Sequence, residues 1–185
     1  INTAEELALM AIKVNSGEAY YPSAHYKLTA DIVLNERLDG TPNEWTAIGT
    51  DDTTPFTGKF SGDGHTITGI VINKSGEDYQ GLFGYLGING TIMNVGVINS
   101  SISGNNYVGG VCGLNQGATI ENCYSTGAVS GTVEYIGGVC GYNDYNSTIT
   151  NCYYLEGCNA DGTTFSCNEG TSKTETQFKN GSVCY

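Results

Sequence analysis

Few side chains in this sequence can do covalent chemistry, and their spacing decides which kind. His65 closes the run Gly62-Asp63-Gly64-His65, so an imidazole and a carboxylate stand near enough to share a proton as general acid and base. A β-helical polysaccharide lyase or hydrolase would set such a pair in a groove with further carboxylates and basic groups. Lysine and arginine together number seven, and Arg37 is the single arginine, so the basic part of that constellation is thin. The expectation is therefore no catalytic residue, with Asp63 and His65 as the centre of a rival carbohydrate-active reading. Asp51-Asp52 and Asp63 offer hard oxygen ligands to a calcium ion. They lack the spacing of a calcium loop and read as turn residues. No metal site and no cofactor are expected.

The seven cysteines (112, 123, 140, 152, 158, 167 and 184) are an odd number, so they cannot all pair within the chain. Cys112 and Cys140 lie 28 residues apart, and Cys123 and Cys152 lie 29 apart. If 28 to 29 residues make one structural unit, each pair stacks in adjacent units as a small apolar ladder. Side chains pointing in parallel from neighbouring strands hold their Cβ atoms wider than a disulfide prefers, which favours reduced stacks. Cys158, Cys167 and Cys184 have no such partners and are the candidates for a disulfide. The spacings lack the paired CxxC of a compact zinc module.

Tyr79, Tyr107 and Tyr135 keep the same interval of 28 and are the ligand-binding candidates. Val108 and Ile136 follow two of them directly, so period-2 alternation sends those aliphatics inward and the tyrosines outward. An exposed aromatic stripe can stack on sugar rings or on a protein partner. Alternatively, the rings stack on one another and merely cover the surface. Tyr124 and Tyr153 form a shorter ladder with the same two readings.

What positions these residues is a repeat. Gly81-Leu82-Phe83-Gly84, Gly110-Val111-Cys112-Gly113 and Gly138-Val139-Cys140-Gly141 recur at intervals of 29 and 28. Thr91-Ile92-Met93-Asn94, Thr119-Ile120-Glu121-Asn122 and Thr148-Ile149-Thr150-Asn151 recur at 28 and 29. Apolar residues at helical spacing are missing, as is a leucine–asparagine ladder. Two or three short strands per unit, with Gly, Asn and Ser between them, predict an all-β fold: a parallel β-helix, or β-solenoid, with coils of about 25–29 residues. Ile92, Ile120 and Ile149 would form an inward aliphatic ladder, and Asn94, Asn122 and Asn151 an amide ladder at a corner. Asp31–Leu34, Trp45–Gly49 and Phe56–Ile72 supply strands of irregular earlier coils, with Ile67 placed 25 residues, about one coil, before Ile92.

A solenoid must cover its open ends. Thr3 with Glu6 makes a capping box, Leu7, Met10, Ala11 and Val14 share a helical face, and Gly17 suits a left-handed stop. This predicts a short capping helix within 1–17. Thr174 with Gln177 starts a second, shorter helix ending near Gly181. The chain then reads as one β-helix domain over 1–185. It divides into the helix at 1–17, irregular coils at 26–80, repeats at 81–154 and a C-terminal cap segment at 155–185.

The repeat resembles the GLUG motif of bacterial surface proteins. The resemblance runs through Tyr79-Gln80-Gly81-Leu82-Phe83-Gly84 with Thr91 to Val97, through Val108 to Asn115 with Thr119 to Gly127, and partly through Ile136 to Tyr154. It implies a β-helical region in large secreted or cell-wall-attached proteins, among them adhesin-like proteins and non-catalytic parts of some IgA-cleaving metallopeptidases. No catalytic residue comes with the motif, and the His-Glu-x-x-His of a metallopeptidase is absent.

Composition narrows the partners. With 19 acidic residues against seven basic ones the net charge is -12, which disfavours nucleic acid and an anionic membrane surface. No apolar run is long enough to span a bilayer. The chain begins at Ile1, which suggests a processed or excised piece. Its low charge and its Thr, Asn, Gly and Tyr content resemble secreted surface proteins. The resulting expectation is a non-catalytic module at the bacterial cell surface or outside the cell. It would bind a glycan or a host or cell-surface protein, or act as a spacer, in an oligomeric state that the sequence leaves open. Glycine, at 27 residues, marks the places where coils turn.

Overall fold

A computed structural model describes residues 1–34, 43–158 and 170–180. Its coils are built from strands of only two to four residues. One complete turn runs through Thr91–Met93, Gly96–Ile98, Ser101–Gly104, Val108–Gly109 and Cys112–Asn115 before Thr119–Glu121 begins the next. Five strands per coil replace the expected two or three. The reason is that a corner interrupts the chain after every two to four paired residues, too soon for a longer strand to develop.

All the pairings between coils are parallel and in register. The longest stacks are His25–Lys27, Lys59–Ser61, Thr91–Met93, Thr119–Glu121 and Thr148–Thr150, and beside it Ile32–Val33, Thr66–Thr68, Gly96–Ile98, Tyr124–Ser125, Tyr153–Leu155 and Thr171–Lys173. Ile92, Ile120 and Ile149 stand in one column. The residue beneath Ile92 is Phe60, whereas Ile67 pairs with Val97. The expected 25-residue step from Ile67 to Ile92 is thus overturned. Earlier coils take 30 to 35 residues, and the loop at Lys74–Asp78 makes the path from Asn73 to Gln80 longer than the one from Ser103 to Val108 in the next coil. Trp45–Gly49, expected as a strand, makes only an isolated bridge at Ile48 to Phe83, with the Trp45 indole donating to Leu82 O at 3.2 Å.

A single apolar core runs up the axis. It includes Phe56, Phe60, Phe83, Ile67, Ile92, Val97, Ile102 and Ile120, all buried. At one end the helix α1, Ala4–Asn15, lies across it with Leu7, Met10, Ala11 and Val14 buried. Each large aliphatic side chain removed from water this way contributes about 1.5–3 kcal/mol. Thr3 accepts from Glu6 N, while the Glu6 carboxylate takes the Asn2 amide, so the cap closes one residue earlier than a reciprocal box would. Asn15, the last helical residue, clamps the first irregular coil by donating to Ala47 O at 2.9 Å and accepting from Gly49 N at 2.8 Å. The second helix, α2, is Glu175–Lys179, with Thr174 and Gln177 capping it reciprocally.

Two of the corner columns are made by residues other than glycine, while Gly69 and Gly117 hold left-handed φ of 83° and 65° at other corners. Asn94, Asn122 and Asn151 hold φ of 54°, 52° and 52°, and Tyr79, Tyr107 and Tyr135 hold 59°, 56° and 60°. The glycines of the Gly-x-x-Gly motif serve close approach instead. A Cβ at Gly113 would lie 2.5 Å from Tyr107 O and 2.7 Å from Gly84 O, so only glycine lets the two limbs of the coil touch there. Gly110 and Gly138 leave room for Ser125 and for the Tyr154 ring respectively.

Candidate functional site

Three of the sequence-selected tyrosines come together on one edge of the solenoid. Tyr79 and Tyr107 stack with centroids 5.0 Å apart at 11°, and Tyr107 and Tyr135 at 4.9 Å and 5°. Neighbouring coils are about 4.8 Å apart, so one ring per coil fills the spacing with no slack. A left-handed backbone at a tyrosine costs roughly 1–2 kcal/mol. That cost is offset by the ring stack and by the backbone bonds it aligns, with Gln80 N donating to Tyr107 O and Val108 N to Tyr135 O, both at 3.0 Å. The rings are half-buried. Stacking takes both faces of Tyr107 and one face each of Tyr79 and Tyr135.

A second column supports the first. Tyr85, Leu114 and Tyr142 are in register on the next strand. Tyr85 meets Tyr79 edge-on at 5.3 Å, and Tyr142 meets Tyr135 edge-on at 4.9 Å. The Tyr85 hydroxyl donates to Gln116 Oε1 at 2.7 Å. Burial pushes the Tyr79, Tyr85 and Tyr107 phenols above their ordinary range, with further upward pushes at Tyr79 from Asp78, Asp52 and Asp51. Sequence reasoning passed over Tyr85 and Tyr142, although they follow Gly84 and Gly141 directly and so mark the same repeat.

It also passed over the residues that set the tyrosine corners. Asp78, Asn106 and Glu134 precede the three tyrosines at intervals of 28. One Asp78 carboxylate oxygen accepts from Asn106 N at 3.0 Å, from Asn106 Nδ2 at 3.1 Å and from Asn105 Nδ2 at 2.9 Å. Asn106 Oδ1 in turn accepts from Glu134 N at 3.1 Å. Each side chain thus ties its coil to the backbone of the next, one position before the ring.

The asparagine corner forms the expected amide ladder. Asn122 Nδ2 donates to Asn94 Oδ1 at 2.9 Å, and Asn151 Nδ2 donates to Asn122 Oδ1 at 3.2 Å. Asn115, fully buried, donates to Asn143 at 2.7 Å in a further amide pair.

The cysteines lie inside. Cys112 and Cys140 are register partners, with Phe83 beneath them. All five described cysteines are buried thiols outside any disulfide. Cys123 donates to Glu121 O at 3.1 Å, Cys152 to Thr150 O at 3.3 Å and Cys112 to Leu114 O at 3.2 Å. Burial pushes the Cys123 thiol well above its ordinary range. Cys158 is among these thiols, whereas Cys167 and Cys184, its expected partners, lie outside the described residues.

Asp63 and His65 do not face each other. The Asp63 carboxylate pairs with Lys27 Nζ at 2.8 Å, and His65 Nδ1 lies 3.3 Å from Asp31 Oδ1. Asp31 Oδ1 also accepts from Thr66 N at 2.8 Å. The carboxylate of Asp51 collects the amides and hydroxyls of Thr53 and Thr54, which holds it below the usual carboxylate range and closes a turn. Tyr124 and Tyr153 are register partners, but Tyr124 turns toward Phe178 of α2 at 5.8 Å, while Lys173 Nζ sits 5.3 Å from the Tyr153 ring.

Short parallel strands stacked in register, with like residues above like, define a β-solenoid repeat protein. Residues 104–130 and 132–153 each match the family model of the GLUG motif, so that stretch carries GLUG-motif repeats. The preceding copy, Tyr79 to Val97, lies outside the matched residues yet stacks in the same columns.

Over 111 residues, 57% of this chain, the sequence is 44% identical to halomucin of Haloquadratum walsbyi, of which the aligned part is 1%. Over 109 residues, again 57% of the chain, it is 37% identical to a protein of Evansella cellulosilytica described as a candidate Gly-rich membrane protein, of which 12% is aligned. The chain therefore corresponds to a small fraction of either relative's length. A crystal structure of a candidate immunoglobulin A1 protease from Bacteroides ovatus aligns with a TM-score of 0.48 and 16% identity, covering 99% of this chain and 85% of that one. That likeness is too distant to carry more.

Proposed function

We propose that this chain is a non-catalytic β-solenoid module of a secreted or surface-anchored protein, a rigid spacer whose length is set by its number of coils. The observation that carries the reading is the in-register recurrence of the tyrosine, asparagine and isoleucine columns at steps of 28 or 29 residues. Each repeat then adds about 4.8 Å of axis at no change in cross-section. Asp63 is ion-paired with Lys27 at the surface, and the thiols of Cys112, Cys123, Cys140 and Cys152 donate to backbone carbonyls. The names of the two sequence relatives support the placement outside the cell or at its surface.

Adhesion is a second reading, favoured by the half-exposed edges of the tyrosine ladder. A glycan or a host or cell-surface protein would meet phenol hydroxyls and ring edges along the ladder, because the faces between the rings are taken.

An epitope placed in the exposed turn at Tyr145 of the parent protein should be labelled on intact cells. Labelling only after lysis overturns the surface placement. Glycan-array and cell binding, compared with a Tyr79→Phe/Tyr107→Phe/Tyr135→Phe chain, separates adhesion from spacing: lost binding supports the adhesive face, and unchanged binding removes it. Turnover of a polysaccharide that His65→Ala abolishes would overturn the non-catalytic reading.

A further inference from the structure

Asparagine does two separate jobs in this solenoid, and in the second its Nδ2 bonds to no neighbouring coil among the described residues. Asn94, Asn105, Asn106, Asn115, Asn122 and Asn151 bond to neighbouring coils through their side-chain amides. None of these six has Ser or Thr two residues further on. Five others do; Ser182 of Asn180-Gly181-Ser182 lies outside the described residues, and the remaining four are Asn73-Lys74-Ser75, Asn89-Gly90-Thr91, Asn99-Ser100-Ser101 and Asn146-Ser147-Thr148. All four of these asparagines are exposed, as are Ser75, Ser101 and Thr148, and Thr91 is half-exposed. Asn73 Oδ1 accepts a long contact from Ser103 at 3.4 Å, and among the described residues no hydrogen bond engages the Nδ2 of any of the four.

Their placement is that of presented side chains. Asn89 and Asn99 occupy left-handed corners, with φ of 67° and 50°. Asn146 sits in the turn before Thr148–Thr150 and Asn73 closes Val71–Asn73. Thr91 and Thr148 both pair with Thr119, so Asn89 and Asn146 share one corner two coils apart, about 10 Å along the axis. The amides that hold the coils lack the hydroxyl that a glycosylation acceptor needs, and the amides that have it face solvent.

We infer that Asn73, Asn89, Asn99 and Asn146 are N-glycosylation sites, which makes this solenoid a scaffold for covalently attached oligosaccharide. The inference rests on the secreted or surface placement proposed above. The donor is an oligosaccharide carried on a lipid diphosphate. The asparagine Nδ2 forms a bond to the anomeric carbon, the bond from that carbon to the diphosphate oxygen breaks, and the lipid diphosphate leaves with the electron pair. The amide proton passes to a base of the transferase. A glycan at each corner is bulky and solvated, and it would stand off the ladder edges without entering the core.

Two arms test this. The full chain sent through the secretory pathway of a glycosylating host should carry glycans at these four sites. Enzymatic removal in heavy-oxygen water should leave labelled aspartate at 73, 89, 99 and 146, and unlabelled asparagine at 94, 115 and 122. Because glutamine strains a left-handed corner, the hydroxyl is removed instead: Ser75→Ala, Thr91→Ala, Ser101→Ala and Thr148→Ala should each lose the mass of one glycan. A secreted, folded chain with no glycan at any of the four overturns the accessibility argument. In the second arm the protein is taken from the cells that make it, after fractionation. Labelled sites on surface-borne protein are the expected result. Bare asparagines on surface-borne protein overturn the glycosylation and leave the surface reading intact. A chain retained inside the cell overturns both.

Discussion

Replacing Gly113 with alanine tests whether close approach, rather than backbone freedom, explains glycine in the repeat. The added Cβ would stand 2.5 Å from Tyr107 O, 2.7 Å from Gly84 O and 2.9 Å from Gln80 N. All three are backbone atoms, on the facing limb of the same coil and on the coil before, so no side chain can swing away. Overpacking of this kind costs about 1–3 kcal/mol and occasionally more. With three contacts inside 3.0 Å, the upper end, about 3 kcal/mol, is expected. For a chain of this length that lowers Tm by roughly 6–12 °C. Gly76→Ala is the control, because nothing lies within 4 Å of its built Cβ and its φ is not left-handed. It should fall within about 0.5 kcal/mol of the parent, or be slightly stabilising through the unfolded chain. Calorimetry and urea titration read both. A Gly113→Ala protein as stable as Gly76→Ala would refute the argument, and with it the reason given for the repeated glycines.

Asn122→Ala removes two inter-coil amide bonds and a residue tolerant of the left-handed corner, for a loss of about 2–3 kcal/mol in denaturant titration. Asn122→Gly keeps the corner and should lose only about half as much; equal losses would show that the ladder contributes nothing. Tyr107→Ala leaves two stacked rings and Tyr142 without their partner and should cost about 2–3 kcal/mol with collapse of the near-ultraviolet tyrosine dichroism, whereas Tyr107→Phe keeps the stack and costs under about 1 kcal/mol. Burial pushes the Cys158 thiol from its ordinary 9.0 to about 11. The folded state therefore holds its proton longer, and stability present below pH 9 drains away as pH rises toward 11, by roughly 2 kcal/mol. Cys158→Ala should flatten that part of the stability–pH curve, and an unchanged slope would contradict the assignment.

The repeats were the most legible part of the sequence, because three landmarks kept one interval and stacking in register follows from that alone. Asn94, Asn122 and Asn151 could be placed at a shared corner, and the buried face of α1 could be read from Leu7, Met10, Ala11 and Val14. Strands of two to four residues were not legible, since they are too short to show alternation, and so the number per coil was underestimated. Ile67 was set beneath Ile92 because the repeat length was carried back into coils that lack the repeat; Phe60 holds that position. The tyrosine ladder was visible as a spacing, but its geometry was not. Nothing local in Tyr79, Tyr107 or Tyr135 announces a left-handed backbone, and the bonds from Asp78 and Asn106 that brace the corners at Tyr107 and Tyr135 come from the coil before. Gly113 belongs with these, since its neighbours are distant in sequence or lie across a fold of the same coil.

The most direct test of the spacer reading lengthens the solenoid by its own rule. Residues 92–119 carry Thr91 into the place of Thr119, a step of 28. Three extra copies inserted after Thr119 should lengthen the particle in small-angle scattering by about 14 Å, at unchanged cross-section and with no loss of Tm. Inserted copies that are cleaved by protease, with a broader particle and no added length, would contradict it.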